Sequence, residues 1–64
     1  MATGKTRIVV ADDSRLMRSM LAKGLERSGF DVVGLAVDGD EALRLCRDVR
    51  PDVLTLDLAM PGTD

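Results

Sequence analysis

The strongest constraint on this chain is the short apolar run Ile8-Val9-Val10-Ala11, unbroken by any polar residue and closed by Asp12-Asp13. A strand with one wet face alternates apolar and polar residues, whereas a strand covered on both faces reads as a continuous β-branched run. The sequence therefore predicts a strand inside an α/β fold, with helices above and below it. Val53-Leu54-Thr55-Leu56, closed by Asp57, reads as a further strand.

Between these runs the periodicity changes. From Ser14 to Ser28 the residues Met17, Met20, Leu21, Gly24 and Leu25 recur at helical spacing, which predicts a helix with that stripe buried. Arg15, Arg18, Lys23 and Arg27 are expected to face water. Asp13 or Ser14 is positioned to cap the helix, and Gly29 stands where a helix commonly ends in the left-handed conformation. Phe30–Ala36 reads as a strand weakened by Gly34. Asp38-Gly39-Asp40-Glu41 predicts a turn and a capping box, because a carboxylate follows the capping aspartate by three residues. The second helix then places Ala42, Leu43, Leu45, Cys46 and Val49 on its buried side, and Pro51 stops it near Val49.

The order is β-α-β-α-β. Right-handed crossovers give a parallel sheet in the order 2-1-3 with one helix on each face. The chain reverses direction between strands 1 and 3, and open α/β sheets bind ligands at the carboxyl ends of the strands at such a switch point. Asp12, Asp13 and Asp57 fall there. Three converging carboxylates repel one another unless a cation lies among them, and an all-oxygen donor set favours a hard ion such as Mg2+. Taken singly these residues have simpler readings: Asp13-Ser14 as a helix cap, Asp57 as a solvated strand end. Their meeting at one edge is what favours a metal-assisted phosphoryl site.

Composition narrows the remaining classes. Eleven acidic against nine basic residues give a net charge of -2 in 64 residues, with no basic block to grip nucleic acid. No apolar stretch has the length of a membrane span or of a signal peptide, so the expectation is a cytoplasmic protein with no membrane partner. Cys46 is the only cysteine and there is no histidine, which leaves no internal disulfide, zinc site or Cys-His pair. Cys46 is expected to be a small buried hydrophobe.

Val9-Val10-Ala11-Asp12-Asp13-Ser14, Asp38-Gly39-Asp40-Glu41-Ala42-Leu43 and Pro51 to Gly62 together resemble the first half of a response-regulator receiver domain. The resemblance runs from Arg7 to Asp64, after a polar lead-in over residues 1–6, and Asp13 to Arg18 with Thr55-Leu56-Asp57 also resemble chemotaxis receivers, including the chemotaxis methylesterase. It implies half of a flavodoxin-like doubly wound sheet over residues 1–64. It also implies a phosphoacceptor rather than an enzyme, in which Asp57 takes a phosphoryl group from a sensor histidine kinase. The implied Mg2+ ligands are Asp13, Asp12 largely through water, Asp57 and the backbone carbonyl of Ala59, while Pro61 and Gly62 shape the adjoining loop.

The family's Lys, Ser/Thr and aromatic switch residues have no counterpart: Lys5 precedes strand 1, Lys23 is within helix 1, and Thr55 alternates off the active edge. An ending at Asp64, inside a family motif, is expected of a truncated receiver. In that case strand 3 becomes an exposed edge, and two copies are expected to pair through it as a homodimer. This makes a self-assembling half-domain without phosphotransfer the competing function. A dinucleotide site is excluded because Asp12-Asp13-Ser14 replaces the Gly-rich turn it needs. An aspartyl-phosphate phosphatase is excluded because Ala59, not a second acid, follows Asp57 by two.

Overall fold

In a computed structural model describing residues 4–57, Ile8, Val9, Val10 and Ala11 are buried to 3% exposure or less at the centre of a three-stranded parallel sheet. The elements are β1 (Arg7–Asp12), α1 (Arg15–Arg27), β2 (Asp31–Ala36), α2 (Gly39–Val49) and β3 (Val53–Asp57). The sheet order is β2-β1-β3, as the crossovers require. The expected α/β fold is therefore present.

Register follows from how the strands begin. The Arg7 amide donates to Asp52 Oδ2 at 2.8 Å, and the Asp52 amide returns a bond to the Arg7 carbonyl at 2.8 Å, which aligns β1 with β3. The pairs then run from Ile8 opposite Val53 to Asp12 opposite Asp57. Against β2 the register slips between Ile8 and Val9: Val32 faces Ile8, Gly34 faces Val9, and Val33 is the extra residue. Gly34 does more than weaken its strand. A Cβ there would lie 3.3 Å from a Leu45 methyl and 3.5 Å from a Val9 methyl, so the missing side chain lets α2 lie close on the sheet.

Successive strand residues face opposite ways. Gly34 meets Leu45 of α2, whereas Leu35 borders a cleft with α1, so the two helices cover opposite faces. On the α2 face Ala11, Ala36 and Ala42 form a small core, with Leu45 packed against it. On the other face α1 rests on β1 and β2 and, among the described residues, does not touch β3. Two expectations fail here. Met17, Met20 and Leu21 of the α1 stripe are 50%, 57% and 36% exposed, and Leu43 on α2 is 55% exposed. Three strands are too narrow to lie beneath the whole apolar stripe of α1, so it is Arg18, Ala22 and Leu25 that turn inward.

The helix ends are closed as the sequence predicts. Ser14 caps α1, its hydroxyl accepting the Met17 amide at 3.3 Å. At the far end Gly29 adopts φ 95°, and the Gly29 and Phe30 amides donate to the Glu26 and Leu25 carbonyls, each at 3.1 Å, in a Schellman closure. Asp38 caps α2 by accepting the Glu41 amide at 2.8 Å; Glu41 reaches back to the Val37 amide at 2.9 Å, one residue before the cap. The helix stops before Pro51 with Arg50 itself left-handed, at φ 48°.

Candidate acidic site

The site lies where β1 and β3 end side by side. Asp12 and Asp57 are register partners, so their side chains leave the same face of the sheet from neighbouring strands about 4.8 Å apart. Asp12 is buried, at 4% exposure, while Asp13 and Asp57 are exposed. Burial of Asp12 is made tolerable by polar contacts from the start of α1. The Ser14 amide donates to its Oδ1 at 2.9 Å, and Arg18 Nη1 donates to its backbone carbonyl at 2.7 Å.

Sequence reasoning missed the second of these contacts. Arg18 was expected to be solvated, but it is half-buried and folded back along its helix. The direction in which helical side chains lean, toward the N-terminus, is the signal that points there.

The strand register thus brings Asp12 and Asp57 together, while Asp13 follows in the turn before α1, so the expected convergence of all three carboxylates is not found. Among the described residues, no three acidic side chains converge tightly enough to form a ready-made metal cage. Mg2+ does not require one, because it typically takes one or two carboxylates and keeps several waters. Two in-register carboxylates at an open edge, with only oxygen donors, fit such an ion. Ala59, Pro61, Gly62 and Thr63 lie outside the described residues. Thr55 is paired with Val10, two positions back from the edge, and its hydroxyl is buried with no partner among the described residues. No helix among the described residues is long and apolar enough to cross a membrane.

Residues 8–64 match the response regulator receiver domain family. The chain belongs to that family. Among similar proteins, a protein-glutamate methylesterase/protein-glutamine glutaminase 2 of Anaeromyxobacter dehalogenans is 49% identical over 59 residues, covering 91% of this chain and 17% of that protein. The corresponding protein of Koribacter versatilis is 45% identical over the whole chain and 18% of its own length. That of Haloarcula marismortui is 51% identical over 95% of this chain and 16% of its own. This receiver chain therefore spans less than a fifth of the length of these relatives. Its β2-β1-β3 sheet and two helices are the receiver-like fold, and receivers are the phosphoacceptor modules of two-component signalling.

Proposed function

We propose that Asp57 accepts a phosphoryl group from a phosphohistidine on a sensor histidine kinase, with Mg2+ held by Asp12, Asp13, Asp57 and the Ala59 backbone carbonyl. The observation that carries this reading is the pairing of Asp12 with Asp57 at the carboxyl edge of the sheet, at its switch point. A carboxylate oxygen of Asp57 attacks phosphorus; the new P–O bond forms as the P–N bond to the imidazole breaks, and the departing nitrogen is protonated from solvent. Exposure of Asp57 leaves it open to an incoming phosphohistidine. Asp12, held from behind by Ser14 and Arg18, is fixed before the partner arrives, so little reordering opposes the transfer. When bound, Mg2+ supplies the positive charge that offsets the carboxylates and the equatorial phosphoryl oxygens.

The names of the relatives support a chemotaxis setting, in a cytoplasmic methylesterase whose esterase work is done by other parts of the protein. The family match supports phosphotransfer over the self-assembling half-domain. The latter rests on the β3 edge, where Val53, Leu54 and Leu56 are 44%, 37% and 58% exposed. Sedimentation at micromolar concentration tests that homodimer, and a folded monomer refutes it.

The decisive experiment is intact-mass spectrometry after incubation with acetyl phosphate and Mg2+. One phosphoryl group per chain is expected, absent in Asp57→Asn. An unmodified chain, or equal labelling of the variant, overturns the reading.

A further inference from the structure

Arg18 donates through Nη1 to the backbone carbonyl of Asp12 at 2.7 Å, the short distance expected of a charge-assisted hydrogen bond. That carbonyl belongs to the last residue of β1, where the ladder to β3 ends. The contact is half-buried, although Arg18 borders an open cleft of about 360 Å³ that it shares with Arg15, Lys23 and Glu26. The guanidinium thus has room to extend into a cleft that also carries an acid, Glu26, yet it turns inward to the strand.

The same turn of helix holds the rest of Asp12. Ser14 donates its amide to the carboxylate at 2.9 Å, and the Arg18 amide donates to the Ser14 carbonyl at 2.8 Å. The peptide of Asp12 is clamped at its carbonyl by Arg18, its side chain is clamped by Ser14, and both clamps belong to one helix start. With the carbonyl and the carboxylate both held, the Asp12 side chain keeps one direction, off the face of the sheet that it shares with Asp57.

We propose that Arg18 is a positioning residue of the acidic site: by holding the Asp12 carbonyl it sets the direction of the Asp12 carboxylate, and so the affinity of the Asp12–Asp57 edge for a divalent cation. The inference rests on the cation-binding reading given above. It makes a prediction whose sign separates geometry from charge. A guanidinium acting only through its charge repels a cation, so removing it would tighten binding. A guanidinium acting by position strengthens binding, so removing it weakens binding.

The test is a Mg2+ titration followed through the amide NMR shifts of Asp12, Asp13 and Asp57 in the unsubstituted chain, Arg18→Met and Arg18→Lys. Methionine keeps the unbranched stem without a donor; lysine keeps a donor of similar reach. The expected result is a dissociation constant raised roughly 10-fold in Arg18→Met, the low end for a group that orients a metal ligand, and restored to within about 3-fold by Arg18→Lys. An unchanged or lowered constant in Arg18→Met, beside a normally binding unsubstituted chain, overturns the role of Arg18 alone. No saturable Mg2+ binding in the unsubstituted chain overturns the cation site and this inference with it. Should Arg18→Met unfold, Arg18→Gln takes its place, because it also removes the charge: a raised constant supports the positioning role, and an unchanged or lowered one overturns it.

Discussion

Replacing Asp57 with Asn should stabilise the metal-free fold, and adding Mg2+ should reverse the order of the two proteins. The reason is the pairing of Asp57 with Asp12 across parallel strands. Two unit charges about 5 Å apart repel by about 3 kcal/mol at an effective dielectric of about 20 and by about 1 kcal/mol in water. Asp57 is exposed, so the lower figure governs, and Asp57→Asn relieves about 1 kcal/mol. For a domain of this size that is a rise of about 4 to 8 °C in Tm. Mg2+ at tenfold its dissociation constant stabilises the intact site by about 1.4 kcal/mol, enough to offset the relief. Thermal unfolding followed by circular dichroism, in EDTA and then in a Mg2+ series, measures both effects on the same samples. A variant less stable than the parent in EDTA, or one whose lead over the parent is the same at every Mg2+ concentration, refutes the argument that these two carboxylates form one electrostatic site.

Three further substitutions test the scaffold, each read from urea midpoints at constant slope. Arg50 holds φ 48° without the freedom of glycine, and its side chain makes no hydrogen bond among the described residues. Arg50→Gly should therefore stabilise by about 0.5 to 1 kcal/mol, after allowing for the greater freedom of glycine in the unfolded chain. Asp38→Ala removes the 2.8 Å bond from the Glu41 amide and should cost about 1 to 2 kcal/mol. Gly34→Val forces methyl groups against Leu45 and Val9, which already lie 3.3 and 3.5 Å from the position of a Cβ, and should cost about 1 to 3 kcal/mol. A midpoint that moves the other way refutes the corresponding contact.

The elements whose signals are local were legible in the sequence. Ser14, Gly29, Asp38 and Pro51 act within a few residues of themselves, and all four close their helices as their chemistry dictates. The β1 run identified the central strand because burial on both faces leaves no room for alternation. What was not legible depends on neighbours distant in sequence. The stripe of Met17 and Met20 marks a side of α1, but periodicity does not say how much sheet lies beneath it. The register slip at Ile8/Val9 and the close approach at Gly34 are set by fitting α2 and β1 together, which no local pattern records. At the acidic edge, topology alone placed Asp12 beside Asp57. The inward turn of Arg18 required knowing that a backbone carbonyl would be waiting for it.

The distribution of burial explains why the repelling carboxylates can be held at all. Among the described residues β1 is the one strand with neighbours on both edges and helices on both faces, and its residues Val9, Val10 and Ala11 are wholly inaccessible. Asp12 is carried on the end of that strand, so its backbone is placed by apolar burial that does not depend on the site, and Ser14 and Arg18 then hold its side chain and carbonyl. Asp57 ends β3, a five-residue strand that among the described residues is paired along one edge only and covered by α2 alone. The site therefore combines a fixed carboxylate with one on the least supported strand of the sheet. A cation held by both would tie the end of β3 to the centre of the sheet, and phosphorylation of Asp57 would alter charge at the same junction. Chemistry at this edge is thereby coupled to the order of β3, whereas it would leave β1 and the core on the α2 face nearly unaffected.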